Sequence, residues 1–345
     1  MLFRSISGNP QTWCGIQNII TREADCACLY ISVDEESVRF WILKAKRAIL
    51  FLETKVSLDP SKVTGLVPGL DEFFSESFRG LGILPEESCE DRSFEDTDSV
   101  SLDDENRALM RDDDDAKDIT TKLHLCHKIV IAPVADLLHE PEIIIVPDSC
   151  MYQVPFAALS EEGDKFLSET ARIRIVPSLT TLKLIQESPP EYHSQTGALI
   201  VGDPEVGEVI YKGRRKTISS LPCARNEASM IGRLLGVTPL IADRATKEAV
   251  LQVINSVSLI HLAAHGDAER GEILLSPKRL TPSSIPREEA YLLTMADISQ
   301  IKLRAKLVVL SCCHSARGQI RAEGVIGIAR AFIGSGARSV LAARW

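Results

Sequence analysis

Apolar runs of four to six residues, separated by polar stretches and by segments with helical spacing, make up most of the chain after residue 140. Runs this short, without internal proline and rich in β-branched residues, are typical of strands covered on both faces of a parallel sheet. The predicted strands are Glu142–Val146, Arg172–Val176, Ala198–Val201, Val257–Ile260, Leu307–Leu310 and Ala337–Ala342. The predicted helices between them are Thr180–Glu187, Cys223–Leu235, Lys247–Ser256, Met295–Ile301 and Val325–Ile333. Strands that alternate with helices predict an α/β fold with right-handed crossovers.

The first 85 residues follow a different pattern. Leu29–Val33 and Val38–Leu43 are apolar runs on either side of a short polar turn, which predicts a β-hairpin, and Arg47–Leu52 adds a third strand. This part of the chain is therefore expected to form a smaller, mixed β-rich subdomain ahead of the parallel sheet. The paired prolines in Ser188–Ser194 stop a helix and extend the backbone, so the clearest domain boundary is placed there.

Composition places the chain among soluble globular proteins. Its 345 residues are 45% apolar and 25% charged, and they contain no apolar run of 18 or more residues. A membrane span and a signal peptide are therefore not expected. The nine cysteines are odd in number and scattered, which fits a reducing compartment. Basic residues form no stripe with interleaved aromatics, so binding to nucleic acid is not expected. Together with the absence of a predicted membrane span and signal peptide, this predicts a cytoplasmic protein that does not bind membranes.

The net charge of −9 is concentrated in one segment. Residues 86–118 contain 15 acidic and 4 basic residues, a net charge of −11, which leaves the rest of the chain close to neutral at +2. A segment this acidic buries too little apolar surface to offset its ordering entropy, so we predict a disordered insertion. The alternative is a regulatory arm, because Ser93 and Ser101 each stand just ahead of acidic residues and are candidates for phosphorylation.

Two short motifs at predicted strand ends carry the candidate chemistry. HLAAHG (261–266) follows one apolar run, and LSCCHS (310–315) completes another. If the two strands are neighbours, His265 and Cys313 lie at the same rim, where open α/β sheets place their active sites. The separation of 48 residues also matches the order of caspases, in which the histidine lies about 50 residues before the cysteine. The pattern predicts a cysteine-protease dyad.

Each of these residues also has a structural interpretation. A free cysteine is among the most buried residue types, and either member of the pair could simply be a buried residue at a strand end. His261 lies inside the strand, four residues before His265, and is interpreted as a hydrogen-bonded core histidine. His314 points away from the site if the strand continues through Cys313, although it remains a weak candidate for tuning the thiol.

Metal binding and substrate recognition have weaker candidates. The motifs CAC (26–28) and HLCH (124–127) have spacings that suit a metal, but neither has a second pair nearby to complete four ligands. No metal or other cofactor is therefore expected. Asp203 follows strand 198–201 and is the acidic residue best placed to bind a Lys or Arg side chain of a substrate. It equally fits a cap of its own Gly-Asp-Pro turn, which is the preferred interpretation.

Six stretches of the chain resemble the CHAT domain, a caspase-like module found with tetratricopeptide repeats and placed in one clan with separase and the caspases. They are IIIVPDSCMYQVPFAAL (143–159), VPSLTTL (176–182), LIVGDP (199–204), LIHLAAHG (259–266), LVVLSCCHSARG (307–318) and EGVIGIARAFIGSGARSVLAARW (323–345). The resemblance covers about residues 120–345 well and 1–85 loosely. It implies a caspase-like sandwich with a mainly parallel sheet flanked by helices, with Cys313 at the nucleophile position and Cys312 at a small, buried one.

The resemblance also implies a division of the chain. Its parts are a β-rich N-terminal part (1–85), the acidic insertion (86–118), the N-terminal, pseudo-caspase-like half of the domain (119–190), and the caspase-like half that carries the dyad (191–345). The 34-residue period of tetratricopeptide repeats is not visible, so such repeats are expected elsewhere in the full-length protein. The family's closing helices are expected beyond residue 345. LSCCHSA stands here where family members often read LSACETG.

Two functions of different classes follow. In the first, a cysteine endopeptidase hydrolyses peptide bonds by way of an acyl-enzyme: His265 accepts the proton of Cys313 and later protonates the leaving amine. The backbone N–H groups of Gly266 and Cys313 would form the oxyanion hole. In the second, a catalytically silent caspase-like scaffold acts through protein–protein contacts, because a fold does not imply a function. The partner is thus a protein substrate in one case and a protein ligand in the other.

Overall fold

The computed structural model describes residues 12–34, 36–56, 69–70, 73–74, 90, 92–94, 113–160, 165–189, 191–267, 271–278, 285–316, 319–321 and 324–343. Its α-helices are α1 (Trp13–Thr21), α2 (Asp113–Val130), α3 (Leu167–Thr170), α4 (Leu179–Gln186), α5 (Pro222–Leu235), α6 (Lys247–Val253), α7 (Glu288–Tyr291), α8 (Met295–Ser299) and α9 (Ile328–Gly334). None of these helices has the length and apolarity that a membrane crossing requires. Three 3-10 helices are Ala132–Leu137, Ser149–Gln153 and Phe156–Ala158.

The strands are short, and most lie after residue 140. They are β1 (Cys26–Val33), β2 (Ser37–Lys44), β3 (Leu50–Lys55), β4 (Ser93–Phe94), β5 (Glu142–Val146), β6 (Arg172–Ile175), β7 (Ala198–Pro204), β8 (Gly207–Tyr211), β9 (Arg214–Ile218), β10 (Leu240–Ala242), β11 (Leu259–Ala263), β12 (Gly266–Asp267), β13 (Ile273–Leu274), β14 (Leu292–Leu293), β15 (Leu307–Leu310), β16 (Gln319–Arg321), β17 (Gly324–Ile326) and β18 (Val340–Ala342).

The chain forms two compact units. Unit 1 comprises Met1–Leu81, Val100–Glu187 and Ile320–Gly324, and unit 2 comprises Gly82–Ser99, Ser188–Gln319 and Val325–Trp345. The chain passes from unit 1 to unit 2 after Glu187, near the boundary expected at residue 190. The acidic segment is divided between the two units at Val100 instead of forming one part of its own.

Unit 1 is built on a mixed sheet with the strand order β3-β2-β1-β5-β6. β1 and β2 form the predicted antiparallel hairpin, β3 continues it, and β5 and β6 run parallel to β1. The apolar face of β1 shares a buried core with α2, in which Leu29 and Ile31 lie in one cluster with Cys126 and Val130. The mixed β-rich subdomain at the N-terminus is therefore confirmed.

The acidic segment 86–118 is described only in part. β4 pairs in parallel with β12, Ser93 opposite Gly266, and α2 begins at Asp113. For these residues the predicted disorder is wrong, because their backbone belongs to a strand and a helix. The rest of the segment, including Ser101, lies outside the described residues, so the regulatory arm stays a prediction.

Unit 2 is built on five parallel strands in the order β10-β7-β11-β15-β18. Helices alternate with these strands along the chain, as the apolar pattern predicts, and Thr246 caps α6 by accepting a hydrogen bond from the Ala249 N–H at 3.1 Å. One buried core joins sheet and helices, with Ile260 and Val308 from the strands and Phe332 from α9. β11 and β15 are neighbours, which is the arrangement that the candidate dyad requires.

Two features of unit 2 are absent from the prediction. β8 and β9 form a hairpin whose two-residue turn, Lys212 and Gly213, has positive φ at both positions, 47° and 79°. A second sheet, in the order β14-β13-β12-β4, forms beside the predicted parallel strands of the chain. Its strands have two residues each, too few for an alternating pattern to be recognised in a sequence.

Candidate active site

The register of β11 and β15 brings the two motifs to one edge of the sheet. Leu262 of β11 lies opposite Leu310 of β15, and the Ser311 N–H extends the ladder by donating to the Leu262 carbonyl at 2.8 Å. His265 and Cys313 each follow this pair by three residues, on strands that run in the same direction. Both residues therefore leave the sheet at its carboxyl edge, where parallel sheets place their sites.

The two loops that leave this edge are in direct contact. A Cβ atom at Gly266 would lie 2.1 Å from the Cys313 carbonyl oxygen and 3.4 Å from the Cys312 Cβ. Only a residue without a side chain allows the two backbones to approach this closely. The loop that carries His265 thus lies against the loop that carries Cys313.

The hydrogen bond of His265 fixes its tautomer. Its Nε2 lies 3.0 Å from the carbonyl oxygen of Ser219. Because a carbonyl oxygen only accepts, Nε2 must carry the proton in this contact, and in the neutral ring Nδ1 then holds a free lone pair. His265 is 6% exposed, and its Nδ1 is buried without a hydrogen-bond partner among the described residues. A buried basic nitrogen with an oriented lone pair is what a general base needs.

The two adjacent cysteines have different environments. Cys312 is 1% exposed, and its thiol donates to the Leu262 carbonyl oxygen at 3.3 Å. Burial raises the pKa of this thiol to about 12, so it stays protonated at neutral pH. Cys313 is partly exposed. The expectation that Cys312 occupies the small, buried position is confirmed, and Cys313 is the less buried of the two cysteines.

The two other histidines of the motifs, His261 and His314, lie in different parts of the local structure. His261 lies in β11, is 5% exposed, and its Nε2 lies 2.9 Å from Oε1 of Glu227, which confirms a hydrogen-bonded core histidine. Burial by itself would raise the pKa of Glu227, but hydrogen bonds from His261, Ser311 and Arg92 outweigh it and hold this pKa at about 2. His314 has a φ of 59°, so the strand does not continue past Cys313 and the condition for its predicted orientation is not met.

The backbone N–H of Gly266 is already used. It donates to the Arg92 carbonyl oxygen at 2.9 Å as part of the pairing between β4 and β12. An oxyanion hole that includes this N–H would require the bond to open, since an N–H group has one proton to donate. The predicted role of Gly266 in such a hole is therefore not available in this arrangement of the chain.

Asp203 is engaged by two partners. Its Oδ1 accepts the N–H of Leu221 at 2.6 Å, just ahead of α5, and its Oδ2 accepts from Arg225 Nε and Nη2 at 2.8 and 2.7 Å. The side chain is 2% exposed, and its φ is 47°. These contacts favour a structural role for Asp203 at the start of α5 over a substrate pocket, because its charge is neutralised by Arg225.

A possible metal cluster lies in unit 1. Among the described residues, ligand atoms of Glu23, Cys26 and Glu142 lie within 4.8 Å of one another. Arg174 Nη2 lies 2.6 Å from an oxygen of each carboxylate, so a cation is already bound between them. Burial raises the pKa of Cys26 to about 11. The cluster is therefore interpreted as a buried ion-pair network.

Three contributors to this site were not recognised in the sequence: the Ser219 carbonyl, Glu227 and Arg92. A backbone carbonyl has no residue type, so Ser219 carries no signal at all. Glu227 is an ordinary acidic residue on the early turns of an amphipathic helix. Arg92 stands within an acidic segment whose composition predicts disorder, although a basic residue among 15 acidic ones is itself a signal for ion pairing.

Comparisons with known proteins match this chain to a domain family and to two relatives. A family profile described as the CHAT domain matches residues 121–345. The chain is also similar to tetratricopeptide repeat protein 28 of Mus musculus and of Homo sapiens, with 28% identity over 268 residues in each case. The alignments cover 65% of this chain but 11% of each relative, so the chain spans a small part of the length of those proteins. The resemblance drawn from the motifs is confirmed.

Proposed function

Because the chain belongs to the CHAT domain family, whose caspase-like α/β fold it has, we propose that it is a cysteine endopeptidase with His265 and Cys313 as its dyad. The observation that carries the proposal is the oriented imidazole of His265. Its Nε2–H is committed to the Ser219 carbonyl, and its buried Nδ1 faces no other described partner. The loop of His265 lies against the loop of Cys313.

The proposed reaction has two halves. Nδ1 of His265 takes the Cys313 proton, the thiolate sulfur attacks the carbonyl carbon of the scissile peptide, and the C–N bond breaks as the imidazolium returns the proton to the leaving amine. A water molecule then gives a proton to His265 and attacks the acyl carbon; the C–S bond breaks, the imidazolium returns the proton to the sulfur, and the carboxylic acid that is released loses its proton to solvent. The Ser219 carbonyl stabilises the imidazolium that forms in each half, because it accepts the Nε2–H throughout.

Oxyanion stabilisation is assigned to the Cys313 backbone N–H. Each such donor contributes about 100- to 1,000-fold to the rate in well-studied hydrolases. The Gly266 N–H becomes a second donor only if its bond to the Arg92 carbonyl opens when substrate binds. Preference for Lys or Arg before the cleaved bond, through Asp203, stays a weak proposal because Arg225 occupies that carboxylate.

A second candidate function, a protein-binding scaffold, is favoured by one observation. The outer face of α5 exposes Leu234 by 83% and Met230 by 60%, and the two are one helical turn apart. Exposed apolar side chains that cluster on a helix mark surfaces where partner proteins bind. Relatives named for tetratricopeptide repeats fit this context, although the name describes those proteins and not this chain.

The test is covalent labelling by a panel of peptide probes that carry an electrophilic carbonyl and differ in the residue before it. Intact and peptide mass spectrometry locate the adduct, and Cys223, an exposed thiol in the same unit, reports unassisted reactivity. Labelling at Cys313 that exceeds that of Cys223 and is lost in His265→Ala supports the dyad. Uniform slow labelling in a folded protein would overturn the peptidase and favour the scaffold.

A further inference from the structure

Arg92 touches both loops of the proposed dyad. Its carbonyl oxygen accepts the N–H of Gly266, the residue after His265, at 2.9 Å. Its guanidinium Nη1 donates to the carbonyl oxygen of Ser311 at 2.9 Å and to the Ser311 hydroxyl at 2.8 Å, two residues before Cys313. One residue therefore ties the backbone of the histidine loop to the backbone of the cysteine loop.

The guanidinium is held from several sides. Its Nη2 lies 2.8 Å from Glu227 and its Nε 3.3 Å from Glu90, and the Arg92 side chain is 13% exposed. Glu90 is itself fixed, since its two carboxylate oxygens accept the N–H groups of Cys223 and Ala224 at the start of α5, at 2.8 and 3.0 Å. Arginine suits this position because its planar fork offers five donors in a fixed geometry, whereas lysine offers a point charge.

From this geometry we propose that Arg92 is a positioning residue of the dyad, which sets the separation and orientation of the His265 and Cys313 loops. The inference rests on the proposed function, because a positioning residue needs a reacting pair to position. Arg92 contacts neither the thiol nor a substrate, and acts through Ser311 and Gly266. A displacement of about 1 Å in such a pair lowers a rate about 100-fold, so contacts of this kind decide whether the dyad works.

The positive charge of Arg92 also lies close to the cysteine loop. Arginine is a permanent cation; burial raises the pKa of the adjacent Cys312, and the charge of Arg92 offsets part of that rise. Glu90 and Glu227 neutralise part of that charge, so the hydrogen bonds of the guanidinium matter more than its electrostatic effect on the cysteines. A role limited to fold stability would predict that loss of Arg92 lowers the melting temperature and leaves the pH profile of Cys313 unchanged.

The experiment measures the rate of Cys313 alkylation by iodoacetamide from pH 5 to 10 in the full chain, with peptide mass spectrometry as the readout. Arg92→Met removes the guanidinium and keeps an apolar stem, and Arg92→Lys keeps the charge without the fork. Arg304→Met is the matched control, because Arg304 binds the carbonyls of Glu191 and Tyr192 in the same unit through a similar fork. Thermal unfolding of each variant confirms that it is folded.

The expected result is a drop of at least about tenfold in the Cys313 rate at pH 7 in Arg92→Met, with the inflection moved towards pH 8.5, the value of a free thiol. Arg92→Lys should recover part of the loss, and Arg304→Met should match the wild type. Ser311→Ala, which removes one acceptor of the fork, should give a smaller loss in the same direction and serves if Arg92→Met does not fold.

The two proposals fail in different ways. If wild-type Cys313 reacts no faster than Cys223 and His265→Ala changes nothing, the dyad itself is wrong, and the role of Arg92 with it. If the wild type shows a dyad that depends on His265 while Arg92→Met, folded, keeps its rate and pH profile, only the inference about Arg92 is overturned.

Discussion

The contact between Gly266 and Cys313 can be tested by adding one methyl group. In Gly266→Ala the new Cβ would lie 2.1 Å from the Cys313 carbonyl oxygen, whereas ordinary contacts begin at 3.4 Å. One loop must therefore move by about 1.3 Å. The new Cβ is bonded directly to the backbone of one loop, and the oxygen that it meets belongs to the backbone of the other. No flexible side chain can therefore rotate away to absorb the shift.

The size of the effect follows from this displacement. Overpacking of this kind costs about 1–3 kcal/mol, which corresponds to a fall of several degrees in the melting temperature of a unit of this size. The effect on chemistry should be larger in relative terms. A shift of about 1 Å between reacting groups costs about 100-fold in rate, so the excess reactivity of Cys313 should fall by a factor between about 10 and 100.

The assay compares alkylation of Cys313 by iodoacetamide with alkylation of the exposed Cys223 in the same sample. Two glycines of unit 2 provide controls. At Gly232, in α5, a Cβ would lie 2.9 Å from the Val237 carbonyl oxygen, a steric conflict that involves neither loop. At Gly334, at the end of α9, it would meet nothing within 4 Å.

Gly232→Ala should lower the melting temperature and leave the ratio of the two alkylation rates unchanged. Gly334→Ala should lower neither the melting temperature nor that ratio. If Gly266→Ala keeps both the melting temperature and the Cys313 ratio of the wild type, the loops are not in contact. Proximity of the two loops would then no longer support the dyad. If the melting temperature falls while the ratio of the Cys313 and Cys223 alkylation rates is unchanged, the contact stabilises the fold without affecting the reactivity of Cys313. That result would refute a role of the contact in the dyad.

Three further predictions concern the surroundings of the site. Glu227 has a pKa near 2 in the fold, below its ordinary value of 4.5, so its stabilising effect is present above about pH 4.5 and is lost as the pH falls towards 2. Glu227→Gln should remove this pH dependence from the acid unfolding curve measured by circular dichroism, and an unchanged curve would contradict the assignment. Cys312→Ala should cost about 1 kcal/mol in a urea titration and keep the selective labelling of Cys313, and loss of that labelling would identify the wrong cysteine as the nucleophile. Thr246→Ala removes the cap of α6 and should cost about 1 kcal/mol in the same titration with no change at Cys313; an unchanged midpoint would mean that the cap contributes nothing.

The sheet of unit 2 could be predicted because each strand is a separate apolar run. The strands Leu259–Ala263 and Leu307–Leu310 place Ile260, Leu262, Val308 and Leu310 in the buried core, so the sequence shows them as short, mainly apolar runs. Their adjacency is a condition of the predicted dyad that the apolar pattern does not determine, and it is observed in the structure. The hairpin β8–β9 had a detectable signal as well. Lys212–Gly213 between two β-rich runs is a two-residue turn, although lysine at a position with positive φ is not the Asn or Asp that such turns prefer.

The acidic segment shows how an average can hide a contact. Over 33 residues the composition of 86–118 predicts disorder, because it averages over every position of the segment. The contacts of Glu90 and Arg92, however, depend on individual residues that meet partners more than 130 positions away. Charge pairs of this kind have no periodicity, so only the tertiary structure reveals them.

The adjacent cysteines show the same division between what a sequence specifies and what it leaves to the fold. The family motif predicts which of the two is buried, because it places Cys312 at the small, buried position, and Cys312 is indeed 1% exposed. The reactivity of the other cannot be deduced in this way. In the proposed dyad it depends on a lone pair at His265 that a carbonyl 46 positions earlier orients, and on a loop that an arginine 219 positions before Ser311 holds. The proposed activity is then a property of these long-range contacts, and a variant that leaves both motifs intact while moving either contact should lower the Cys313 rate by at least about tenfold.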